Sequence, residues 1–241
     1  MSDAFLLTFA RCAGFVFRAP GFSHPDVPPP VRAGFALALA LALSAHGATL
    51  AHVGTSGLVF ALATETLLGA AIGIAASMLY DGAFAGGRAL DDYVGIRASV
   101  PNANVDAGAG FGRLWSLAFA AGFFVLGGDR VALVGFAHAF VTLPPGALVD
   151  APGLRTFAIA LPETLLRASL FVAGPAIGIA FVAQIALAAV ARLVPRFSTF
   201  TLAFPIVFAC VLLATIAALP IVLGAAAHPW WNLAPLRASV R

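Results

Sequence analysis

Apolar residues run along this chain in long stretches separated by short polar ones. Seven stretches can be marked, at about 4–19, 33–52, 57–80, 114–127, 131–143, 156–191 and 199–226. A helix crossing the hydrocarbon of a bilayer needs about 20 residues. By that ruler 33–52, 57–80 and 199–226 are comfortable spans and 4–19 is marginal. The stretches 114–127 and 131–143 are too short, and only Gly127-Gly128-Asp129-Arg130 separates them. They predict a short helical hairpin that enters an apolar environment and returns. The stretch 156–191 is too long for one span and carries Pro162 and Pro175, so it predicts a broken helix. The longest polar interval, 81–113, holds seven glycines and a Pro-Asn-Ala-Asn turn signal at 101–104. It predicts a long loop, a rarity in a small membrane domain and one that usually carries function.

Composition narrows the class. Of 241 residues, 61% are hydrophobic and 10% charged. Soluble domains run nearer half apolar and a quarter charged. A chain this poor in charge cannot coat a globular surface, so a soluble enzyme and a disordered chain are both excluded. What fits is an all-α, multi-pass integral membrane protein with one membrane domain over residues 1–241. Alanine and glycine form about a third of it, the small-residue excess that lets membrane helices approach closely. Net charge is +3, from 13 Arg, no Lys and 10 acids. The charges are scattered, so no nucleic-acid-binding stripe exists. The N-terminal stretch lacks a basic n-region and carries Arg11 in mid-run, unlike a cleavable signal peptide. Arginine counts over the predicted loops favour a cytoplasmic C-terminus. Cys12 and Cys210 lie in apolar runs and read as buried free thiols; neither they nor the histidines have metal-ligand spacing, and no cofactor motif is present.

Charges inside apolar runs are the first candidates for chemistry, since each costs roughly 2.5–3.5 kcal/mol at mid-bilayer. Glu65 stands near the middle of 57–80 and must face protein, water or a partner chain; Arg11 is placed similarly and is a candidate partner. Glu163 and Arg167 stand at i, i+4 on one helix face and read as a local pair. Four Gly-x-x-x-Gly pairs, Gly69/Gly73, Gly82/Gly86, Gly108/Gly112 and Gly174/Gly178, offer flat faces for close helix contact. Gly69/Gly73 is the best placed, inside a convincing span. An enzyme reading also exists. Gly54-Thr55-Ser56-Gly57 is similar to the nucleophile motif of rhomboid intramembrane proteases, with His138 as base. Against it, His138 lies in a stretch too short to span, no His-x-x-x-Asn precedes the serine, and Gly-Thr-Ser-Gly also starts a helix by hydroxyl capping. A small secondary transporter is a further class, because broken helices and midplane charges mark transport sites; it would show two halves of matching hydropathy, and none is found.

Three stretches in order resemble one family. Ala19-Pro20-Gly21-Phe22-Ser23 leads to Val27-Pro28 and Val31-Arg32-Ala33-Gly34, then an Ala/Leu-rich helix. Glu65-Thr66-Leu67-Leu68-Gly69 continues to Ile72-Gly73. Arg192-Leu193-Val194-Pro195-Arg196-Phe197 runs on to Phe200 and then Phe204-Pro205. Together with Leu143-Pro144-Pro145-Gly146 they resemble the FliR/SctT family, the export-gate subunits of flagella and injectisomes, over about residues 5–225. The chain departs from the family pattern in two places. Val100-Pro101-Asn102-Ala103-Asn104 replaces the usual Asp-Pro, and Pro195-Arg196 replaces Pro-Gln.

The resemblance implies a non-enzymatic subunit in the bacterial inner membrane without a cofactor. Its partners would be FliP/SctR-like, FliQ/SctS-like and FlhB/SctU-like subunits, with unfolded exported proteins as cargo and membrane lipid around it. The family's glycine-rich loop plugs the closed pore, and residues 95–112 occupy that place. The plug and hinge candidates are Gly95, Arg97, Pro101, Asn102, Asn104, Gly108, Gly110 and Gly112. The subunit-interface candidates are Glu65, Gly69, Gly73, Arg192, Pro195, Phe200 and Pro205. Hairpins, broken helices and marginal spans are poor at covering themselves in lipid, and become reasonable once neighbouring subunits cover them.

Overall fold

A computed structural model describes residues 3–23, 27–44, 55–95, 110–147, 149–193, 199–224 and 233–236. Among these the chain is helical: α1 (Asp3–Arg18), α2 (Pro29–Ser44), α3 (Thr55–Val94), α4 (Phe111–Val125), α5 (Gly128–Thr142), α6 (Ala151–Leu193) and α7 (Thr199–Gly224). The ends follow local chemistry. Asp3 in the first turn of α1 and Arg18 in its last both complement the helix dipole. Gly95 takes φ +82 just past α3 and donates its N–H to the Asp91 carbonyl at 3.1 Å, a left-handed glycine stop. The Asp150 carboxylate accepts the Gly153 N–H at 3.0 Å and so caps α6. Gly127, at φ +78, makes the bend between α4 and α5.

Three of these helices are long and apolar enough to cross a membrane: Gly57–Val94 within α3, Ala151–Leu193, and Ala203–Gly224 within α7. The α4–α5 pair passes the same test as a broken span or re-entrant loop. Of the expected span 33–52, α2 covers up to Ser44, and the remainder lies outside the described residues.

Two sequence expectations are corrected. The polar interval 81–113 is not one loop: α3 continues as helix to Val94 and α4 starts at Phe111. Gly82, Gly86 and Gly87, read as loop signals, are contact points on the helix instead, and Asp81, Arg88 and Asp92 each find an interaction partner there. Nor is α6 broken. It runs unbroken for 43 residues through Pro162 and Pro175. A proline removes one helical N–H and crowds one turn, but in an apolar setting ending the helix would strand still more backbone groups, so the helix continues past it. Pro205 and Pro220 are carried inside α7 in the same way.

The chain forms two compact units. The first comprises Met1–Met78, Phe123–Glu163 and Ala227–Arg241. Its core is aromatic: Phe15 stacks on Phe136 with centroids 4.1 Å apart, and Phe22 on Phe35 at 4.5 Å. Ala36 and Ala40 turn α2 inward, and Phe157 and Leu236 close the cluster. The second unit comprises Leu79–Gly122 and Thr164–Ala226. Here Gly82 and Gly86 let α3 lie against Ala168 and Ser169 of α6: a Cβ at Gly86 would come 2.6 Å from the Ser169 carbonyl oxygen. Trp115 and Phe119 are buried on α4, and Phe111 packs on Phe208 of α7 at 5.5 Å.

Candidate functional site

Within the first unit, α1 and α3 approach backbone to backbone. A Cβ at Gly69 would collide with the Arg11 carbonyl oxygen, and one at Gly73 would come 2.7 Å from that of Phe15. This closeness carries the side chains of Arg11 and Glu65 into contact. Both are 1% exposed. Arg11 Nε donates to Glu65 Oε2 at 2.5 Å and Nη2 to Oε1 at 3.0 Å, a forked pair. The pair does not stop there. Arg11 Nη1 donates to the Leu143 carbonyl oxygen at 2.5 Å, and the Gly146 N–H donates to Glu65 Oε1 at 2.7 Å. Gly146 takes φ +80, which turns its N–H inward at a conformation costly for other residues. The Phe140 ring lies 4.6 Å from the guanidinium carbon. Two buried charges are thereby satisfied by each other and by the 143–146 turn. Chemically the cluster is a clamp: it fixes α1, α3 and that turn in one register.

Three of the interface candidates belong to this clamp. Glu65, Gly69 and Gly73 turn toward α1 of their own chain, because a buried carboxylate and a flat glycine face are both satisfied there. The pairing of Arg11 with Glu65 was legible in the sequence. The role of Leu143 and Gly146 was not, since backbone carbonyls and amides have no sequence signature.

In the second unit a different polar group joins the end of α3 to the start of α4. Asp91, on the last full turn of α3, is 2% exposed. Its Oδ1 accepts the Phe111 N–H at 2.6 Å and its Oδ2 the Gly112 N–H at 3.1 Å. The carboxylate therefore caps α4 from another helix, opposite the positive end of its dipole. Glycine makes the approach possible. Gly87, one turn before Asp91, presses on Gly112, where a Cβ would come 2.6 Å from its Cα. Gly110 takes φ +102, and a Cβ there would strike the Asp91 carboxylate. Sequence reading missed Asp91; its signal was an acid four residues before a left-handed glycine, at one root of a glycine-rich connection.

Of the other plug candidates, Gly95, Gly110 and Gly112 form the two roots of that connection, whereas Arg97, Pro101, Asn102, Asn104 and Gly108 lie outside the described residues, as does Pro195. Arg192 is exposed in the last turn of α6, Pro205 is exposed in α7, and the backbone of Phe200 is in the first turn of α7. Ser56 lies in the first turn of α3, and His138 is exposed on α5. Among the described residues no three metal-ligating side chains come together.

Over residues 3–232 the sequence matches the family described as bacterial export proteins, family 1. It is also 27% identical over 231 residues to the flagellar biosynthetic protein FliR of Aquifex aeolicus (strain VF5). That match covers 90% of this chain and 85% of the relative.

Proposed function

This chain belongs to the bacterial export proteins of family 1, and on that footing we propose that it is the FliR-like subunit of a type III protein export gate. That it is a membrane-embedded component of a bacterial export apparatus follows from the family. The finer reading is that it helps form the passage through which unfolded proteins cross the inner membrane, without catalysis of its own. It does so with FliP/SctR-like, FliQ/SctS-like and FlhB/SctU-like partners. Residues 95–112 close the passage at rest.

The observation that carries this reading is the helix α6. At 43 residues it is about 64 Å long, roughly twice the 30 Å hydrocarbon thickness. Exposed apolar residues mark its whole length, from Leu154 through Leu170 and Ile185 to Leu193. Lipid can cover only about half of such a helix along the bilayer normal. Protein subunits must cover the rest, as a multi-subunit gate provides.

The test is genetic. Removing the chain from its own cells should abolish export of flagellar or injectisome substrates. The Ser56→Ala and His138→Ala variants should restore it as fully as the unmodified chain. Export that continues without the chain overturns the proposal, and export lost with Ser56→Ala revives a serine-dependent chemistry.

A further inference from the structure

We propose that one end of the first unit binds the headgroup of an anionic phospholipid through Arg18, Arg32 and Arg130. These arginines are scattered along the sequence, and the fold gathers them. Arg18 ends α1, and Arg32 lies in the first turn of α2. The two helix ends are held together where Phe22 stacks on Phe35, with centroids 4.5 Å apart. Arg130 reaches the same level because α5 runs antiparallel to α1: Phe136 stacks on Phe15, and Phe140 lies under Arg11. Six residues back from Phe136, about 9 Å along the helix, Arg130 stands level with Gly21 and Phe22. Phe124, at the end of α4, meets Phe22 edge-on at 6.1 Å. The α4–α5 bend and the turn after α1 therefore lie side by side.

Arg18 and Arg130 are exposed, and Arg32 is half-buried. Arg32 Nε donates to the Val27 carbonyl oxygen at 3.0 Å, which keeps the side chain at this end. Asp129 directly precedes Arg130 and offsets part of the charge. Exposed apolar side chains alternate with the arginines. Phe17, 66% exposed, precedes Arg18; Val31 precedes Arg32; Val125, 83% exposed, and Leu126 crown the bend just before Arg130. Such a surface suits neither water nor hydrocarbon alone. The layer that accepts it is the headgroup boundary, where apolar side chains enter the acyl chains and guanidinium groups reach the phosphates. Guanidinium holds phosphate through paired N–H donors, and each basic residue beside an anionic leaflet adds about fivefold to the attraction. Free phosphate or a purely acidic protein segment would use the arginines and leave the apolar residues in water. The proposal rests on membrane embedding, not on the export role.

The test titrates phosphatidylglycerol into the full chain in detergent, with phosphatidylcholine as the neutral comparison, and reads bound lipid by native mass spectrometry. Phosphatidylglycerol should bind the more tightly. Arg130→Gln should weaken it about fivefold, and Arg18→Gln, Arg32→Gln and Arg130→Gln combined about a hundredfold. Lysine at all three positions keeps the charges and should retain most of the affinity. Val125→Ser with Leu126→Ser should weaken the lipid without touching an arginine, and excess inorganic phosphate should fail to displace it. Arg130 is exposed, so Arg130→Gln decides the matter if the triple variant does not fold. Phosphatidylglycerol affinity unchanged by Arg130→Gln overturns the proposal, as does ready displacement by inorganic phosphate. A triple variant that holds the lipid normally yet no longer co-purifies with its neighbouring subunits also overturns it, because the arginines would then serve an acidic protein surface.

Discussion

Arg11 and Glu65 show how one residue pair is forced by its surroundings. Each charge stands in an apolar helix, and each would be costly alone. Together with the Leu143 carbonyl and the Gly146 amide they form a cluster with every charged atom engaged. Glu65→Ala leaves the guanidinium buried without its counter-charge and should cost about 3–5 kcal/mol. The expected readout is a lower unfolding temperature in detergent and less chain retained in the membrane. Replacing both at once, Arg11→Met with Glu65→Leu, should recover most of that loss, since apolar replacement of a complete buried pair is often near neutral. A double variant as unstable as the single one would show that the turn contacts, not the charge pairing, hold the site. The pairing was legible because two lone charges in apolar runs demand each other. Asp91 was not, because its partners are backbone amides twenty residues away, and the acids around it made the region look like loop.

At the scale of elements, glycine spacing announced close helix contact but not with whom. Gly69 and Gly73 meet α1, and Gly82 and Gly86 meet α6, whereas a Cβ at Gly174 or Gly178 of α6 meets open space. Two of these sites separate by one substitution each. Gly82→Ala should destabilise the chain, because its Cβ would press on Ala168. Gly174→Ala should leave the isolated chain intact or steady it by about 1 kcal/mol through helix propensity. Thermal unfolding of the purified chain distinguishes the two. If Gly174→Ala nevertheless impairs export, the small residue is needed by a neighbouring subunit. The prolines of α6 and α7 misled in the other direction. Proline is a breaker where water competes for the freed carbonyl, and in an apolar setting that competition is missing, so both helices run on.

At the scale of the molecule, the exposed apolar length of α6 defines what the proposed assembly would have to cover. Cysteines introduced at Leu154, Leu170 and Ile185 should react with a maleimide in the detergent-purified chain and be shielded in the assembled complex. Shielding at the middle position alone would mean that lipid, not protein, does the covering. The class of fold was visible from apolar length and scarcity of charge. The division into units was not, since it depends on which stretches return to pack on which. That division has a consequence for biosynthesis. Leu236 is buried in the same core as Phe15 and Phe157, and the Pro235 carbonyl oxygen lies where a Cβ at Gly153 would sit. The first unit is therefore begun by α1 and completed only when residue 236 has left the ribosome. Until then Phe157 waits without its cover, and a nascent chain stalled before Leu233 should be a preferred substrate for membrane quality-control proteolysis.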